Sequence, residues 1–143
     1  MKRHATSIWK GKVKEGNGKL TSQSGTLENT PYSFAGRFTD EDGTSGTNPE
    51  ELIAAAHAGC FNMALSKMLT EAGFDPEELK TKATVTIDAG DGGVKISKSH
   101  LELNAKIDGI DQDKFDELTG NAKKGCPVSA VLNCEITLDA TLN

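Results

Sequence analysis

The chain has 143 residues and a formal net charge of −5, with 36% hydrophobic and only 5% aromatic residues. That length fits a single domain, 1–143, with a core built from aliphatic side chains and alanine. With no basic surplus to neutralise phosphates, neither nucleic acid nor an anionic membrane surface is an expected partner.

The N-terminus, Met1 to Thr6, is basic, but no apolar stretch follows it, so no signal peptide is expected. The first third has strand character. Ser7 to Val13 alternates weakly, Glu15 to Gly18 is a hairpin-turn signal, and Lys19 to Ser24 fits the return strand. Tyr32 to Phe38 fits a third strand, and Asp40 to Thr47 is a polar loop.

A long helix follows. Asn48 suits the N-cap, Pro49 the first helical position, and Glu50 and Glu51 the positive end of the dipole. The helix should run to Ala72 and stop at Gly73. It is apolar around nearly its whole circumference as far as Leu65, and such a helix must be covered on all sides. One small domain can hardly do that, so a second copy of the chain is expected to help. The most apolar run, Leu52 to Ala58, falls far short of the ~20 residues of a membrane span.

Pro76 to Leu79 is expected to be a turn. Lys82 to Ala89 and Gly93 to Ile107 then form a hairpin around Ala89 to Gly93, with Val85, Ile87, Val94, Ile96, Leu101, Leu103 and Ile107 at period-2 positions. Asp111 starts a helix that presents Phe115, Leu118 and Ala122 on one face and ends at Gly125. Pro127 opens a short helix to Leu132, and Glu135 to Leu142 alternates as a last strand. This order predicts an α+β fold with antiparallel sheet.

Three cysteines are too few for a disulfide scaffold. Their odd number, without a secretory signal, points to reduced thiols and a cytoplasmic location. Cys60 lies within the long helix. Cys126 lies on the break Gly125-Cys-Pro-Val-Ser129, where it would be the N-cap of the short helix, with Lys123 and Lys124 close in sequence. Cys60 lacks such local help, so its activation has to come from elsewhere in the fold. The candidates are Arg37, an arginine between Gly36 and Phe38, and the carboxylates Glu50 and Glu51, either of which could hold a guanidinium bidentately. Glu50 and Cys60 are ten residues apart, or ~15 Å along a straight helix. If they share a site, the carboxylate belongs to a second subunit.

At this point the chain resembles the OsmC/Ohr family of cysteine-dependent organic hydroperoxide reductases, and more closely its OsmC branch. The matching segments are Ser24 to Leu27, Pro31 to Phe34, Arg37-Phe38, Gly46 to Ile53, Ala55 to Ala58, Cys60-Phe61, Met63 to Leu65, Glu71 to Phe74, Gly125 to Ser129 and Glu135 to Asp139. The resemblance implies an OsmC-like fold in which antiparallel sheets pack around a long central helix in an intertwined homodimer. It implies that Cys60 is the peroxidatic thiol and Cys126 the resolving thiol, that Arg37 activates Cys60 and orients the peroxide, and that Glu50 holds Arg37. The implied substrates are organic hydroperoxides, reduced to alcohols in oxidative or osmotic stress defence. The implied reductant is a dithiol, of lipoyl type or another, and no metal or organic cofactor is implied. Cys134 departs from the family pattern and has no assigned role.

Other readings remain. Cys60 on an apolar helix could be a small core residue. His57, three residues before Cys60, fits a packed, hydrogen-bonded histidine better than a metal ligand, since no nearby pair completes a zinc site. A non-catalytic redox sensor or a hydrophobic-ligand carrier could use the same cleft without turnover.

Overall fold

A computed structural model describes residues Met1–Asn143, which divide into two compact units, Met1–Leu52 and Ile53–Asn143. In the first unit, β1 (Ala5–Lys10), β2 (Asn17–Ser22) and β3 (Thr30–Ser33) form an antiparallel sheet in the order β1-β2-β3. The Tyr32 ring lies over Gly18, where an added Cβ would come within 2.2 Å of it, and the Tyr32 hydroxyl hydrogen-bonds Ser7 Oγ at 2.6 Å. Every residue of β1 is exposed, Ile8 and Trp9 among them.

The expected third strand is cut short. After Ser33 the chain turns into a short helix, α1 (Phe34–Phe38), because the Ser33 hydroxyl accepts the Gly36 N–H at 3.0 Å and caps it. This places Arg37 on a helical turn rather than at a strand end.

The long helix α2 (Pro49–Glu71) begins as expected. Asn48 Oδ1 accepts the Glu51 N–H at 2.8 Å. The Thr47 N–H donates to the Pro31 carbonyl at 3.0 Å, and Gly46 lies so close to that carbonyl that an added Cβ would come within 2.5 Å of it. The helix start is therefore fastened to β3. At the other end, Gly73 takes φ 87° and the Phe74 N–H returns to the Leu69 carbonyl, closing the helix.

In the second unit, β4 (Pro76–Gly90) pairs antiparallel with β5 (Gly93–Ile107). Pro76 to Leu79 is strand rather than turn. Proline is tolerated there because it opens the strand, next to a register shift between Pro76 and Glu78. After α3 (Gln112–Gly125) and α4 (Pro127–Val131), β6 (Glu135–Leu142) runs parallel to β5. The all-antiparallel expectation therefore fails for this one pair. The two helices form the crossover that a parallel neighbour requires.

One stripe of α2 is fully buried in this unit: His57, Phe61, Leu65 and Leu69, four residues apart. Its apolar members pack with Leu101, Leu103, Ala105 and Ile107 of β5 and with Phe115, Leu118 and Ala122 of α3. The rest of α2 is less covered, and Met63 is 77% exposed. Taken whole, α2 has the length and apolarity of a membrane span, which the run Leu52 to Ala58 alone did not suggest. A core helix meets the same description, and the buried stripe fits that alternative. Truncating Phe115 to alanine should destabilise the fold by about 3–5 kcal/mol, read from a urea transition.

Candidate active site

The first unit holds a guanidinium–carboxylate pair. Arg37 Nε donates to Glu50 Oε2 at 3.1 Å and Nη2 donates to Glu50 Oε1 at 2.7 Å, a bidentate bond. Glu50 is buried and Arg37 about one-third exposed. This separates two residues that the sequence barely distinguishes, in favour of Glu50. Glu51 faces another way and accepts the Thr47 hydroxyl at 2.6 Å. The guanidinium stacks 4.8 Å from the centre of the Phe38 ring, and Phe38 in turn packs on Phe34. Trp9, Tyr32, Phe34, Phe38 and Pro49 line an open apolar cleft in which Arg37 is the cationic member. None of these aromatics is singled out by the sequence. Their common face arises only when β1, β3 and α1 come together.

The loop before α2 is also tied down. Asp40 accepts both the backbone N–H and the hydroxyl of Ser45, and these bonds hold its carboxyl below the usual range.

The second unit holds the two sulfurs. Cys126 closes α3, its N–H donating to the Ala122 carbonyl at 3.0 Å, and opens α4, with Pro127 in the first turn. It is fully buried, whereas Cys60 on α2 is half-buried and Cys134, in the bend before β6, is also half-buried. The Cys60 and Cys126 thiols are near enough for each to shift the other's ionisation. Burial pushes both towards the neutral thiol. At Cys126 this is outweighed by the Cys60 thiol, by the N–H and hydroxyl of Ser129 and by the N–H of Val128, so its net shift is downward. At Cys60 the shift is upward, through burial first and then through the neighbouring Cys126 thiol, with the Val128 N–H opposing. The opposite directions make Cys126 the more readily ionised of the two. The lysines named beside Cys126 do not contribute to this shift. Lys123 and Lys124 lie in the last turn of α3, where they complement its dipole.

His57 is packed and hydrogen-bonded, as the sequence reading favours. Its Nδ1 meets Ser99 Oγ at 2.7 Å and its Nε2 meets Ser129 Oγ at 2.8 Å. Burial lowers its pKa and keeps the ring neutral. No cluster of three His, Cys, Asp or Glu side chains could hold a metal ion. Sequence reasoning missed Ser129, although it is the last residue of the quoted Cys126 motif and lies in the first turn of the helix that Cys126 opens.

The chain is similar to known proteins along most of its length. The family described as OsmC-like protein matches residues 40–141. Peroxiredoxin OsmC of Escherichia coli (strain K12) is 51% identical over 134 residues, 94% of this chain and 92% of its own. Organic hydroperoxide resistance protein OhrB of Bacillus subtilis (strain 168) is 34% identical over 113 residues, 78% of this chain and 79% of its own. The crystal structure of Bacillus subtilis OhrB superposes with a TM-score of 0.72, 28% identity and coverage of 96% of this chain and 98% of that one.

Proposed function

The chain belongs to the OsmC family, and from that premise we propose that it is a thiol-dependent peroxidase that reduces organic hydroperoxides to alcohols in oxidative or osmotic stress defence. Cys60 as thiolate attacks the distal peroxide oxygen, the O–O bond breaks, and the alkoxide leaves as alcohol once protonated. Cys60 is left as a sulfenic acid. Cys126 thiolate then attacks that sulfur, water is released with a proton, and a disulfide forms. An external dithiol, of lipoyl type or another, restores both thiols.

The observation that carries this reading is the pair of free thiols, Cys60 and Cys126, close enough to shift each other's ionisation. The opposite shifts also define what activation has to do. Left alone, the pair places its anion on Cys126, whereas attack requires it on Cys60. A guanidinium beside Cys60 would draw the negative charge there, and Arg37, held by Glu50, is the candidate. The aromatic cleft around Arg37 suits the alkyl part of an organic hydroperoxide better than hydrogen peroxide.

A homodimer completes the proposal. The exposed apolar side chains of Ile8, Trp9 and Met63 and the sparse cover on α2 support a second copy. The Arg37–Glu50 pair of one copy would serve Cys60 of the other. Three free thiols fit a cytoplasmic location.

The test is turnover of cumene hydroperoxide with dithiothreitol. A Cys126→Ser variant should consume about one equivalent and hold Cys60 as a sulfenic acid that dimedone captures. If the unmodified protein consumes one equivalent and never cycles, the sensor or ligand-carrier reading replaces this one.

A further inference from the structure

The peroxidase scheme gives no task to His57, although it is fully buried with a partner on each ring nitrogen. One partner, Ser99, comes from β5. The other, Ser129, comes from the first turn of α4, three residues after Cys126, and its hydroxyl is near enough to favour the Cys126 anion. Ser99, His57 and Ser129 therefore form one hydrogen-bonded chain that ends beside Cys126.

Proton counting gives this chain a direction. A serine hydroxyl has a single proton. If Ser129 gives it to the Cys126 anion, its oxygen must accept from His57, so Nε2 carries the ring proton. A neutral imidazole has no second one, so Nδ1 accepts and Ser99 donates to it. The order is Ser99 O–H to Nδ1, Nε2–H to Ser129 Oγ, and Ser129 O–H to Cys126 Sγ. Burial holds the ring in the neutral form that this order requires.

We propose that His57 is a positioning residue that, through Ser129, fixes a hydroxyl donor on Cys126 and makes Cys126 the leaving thiolate when the Cys60–Cys126 disulfide is reduced. This rests on the peroxidase reading. Burial selects the sulfur that is attacked, because Cys126 is fully enclosed and Cys60 is not. A reductant thiolate bonds to Cys60 Sγ, the protein S–S bond breaks, and its electron pair passes to Cys126 Sγ. That anion is received by the Ser129 hydroxyl. The second thiolate of the reductant then attacks its own mixed-disulfide sulfur. The reductant closes to a disulfide and Cys60 is released as thiolate, so two electrons pass from dithiol to protein.

The test has two readouts. Thiolate absorbance at 240 nm titrates Cys126 in a background carrying Cys60→Ser and Cys134→Ser. Stopped-flow measurement follows reduction of the disulfide by dithiothreitol in the protein that keeps both Cys60 and Cys126. Ser129→Ala and His57→Leu should each raise the Cys126 pKa by about one unit and slow reduction about tenfold. His57→Gln, whose amide N–H can replace Nε2–H, should recover most of both. An unchanged titration in Ser129→Ala, or a Gln variant as impaired as the Leu variant, would overturn the proposal. If His57→Leu does not fold, Ser129→Ala decides alone. Should the unmodified protein form no disulfide with cumene hydroperoxide, the peroxidase reading fails, while the titration still reports on the relay.

Discussion

Replacing Cys60 by serine should abolish peroxide turnover, with a loss of at least about a thousandfold. A serine hydroxyl is far less acidic than a thiol and cannot form the sulfenic acid on which the cycle depends. The site offers no substitute nucleophile. Cys126 is fully enclosed, so a peroxide from solvent does not reach its sulfur. Cys134 lies apart from this pair in the chain, in the bend before β6. The variant should fold normally, since serine is close to cysteine in volume and Cys60 is only half-buried. Coupled consumption of cumene hydroperoxide, with circular dichroism as a control for folding, measures this directly. A Cys60→Ser protein that retains a tenth or more of the activity would remove Cys60 from the mechanism.

The second large effect is expected at Arg37. Lysine keeps the charge but loses the fork that grips both Glu50 oxygens, at 3.1 and 2.7 Å. Arg37→Lys should lower kcat/KM for cumene hydroperoxide by about 10²–10³, the range for removing one well-placed donor from a developing charge. Glu50→Gln should cost about tenfold, because an amide holds the guanidinium with one acceptor instead of two. The two-copy arrangement adds a sharper expectation. Heterodimers of Cys60→Ser and Arg37→Ala subunits contain one site with both groups intact if Arg37 serves the other copy. Such heterodimers, purified by two tags, should recover about half of full activity, although each parent homodimer is inactive. If Arg37 serves its own copy, no activity returns.

How much of this was legible in the sequence depends on how local each signal is. The start of α2 is written within a few residues: Asn48 caps it, Pro49 opens it and Glu50 follows, so its boundary needed no tertiary information. The same holds for Asp111 at the start of α3, where the side chain accepts the Lys114 N–H. The stretch Tyr32 to Phe38 was misread because its apolar spacing suits a strand. The Ser33 cap that turns it into a helix is a single hydrogen bond. The parallel pairing of β6 was out of reach, since an alternating strand carries no mark of its neighbour's direction and the crossover through α3 and α4 decides it.

The site divides along the same line. Cys60 and Cys126 stood out through motif and position. The choice of Glu50 over Glu51 needed the structure, because two adjacent helix residues differ by about 100° in direction and only folding shows which one meets Arg37. Ser129 and Ser99 were invisible as partners of His57. They arrive from 72 and 42 residues away, and a serine alone is too common to signal anything.

The measurement that tests the account most directly is disulfide mapping after a single equivalent of cumene hydroperoxide. Mass spectrometry of the digested protein should find one intramolecular bridge, between Cys60 and Cys126, with Cys134 still a free thiol. A bridge that includes Cys134, or two unbridged thiols at positions 60 and 126 after the peroxide has been consumed, would contradict the assignment of these two sulfurs as a redox pair.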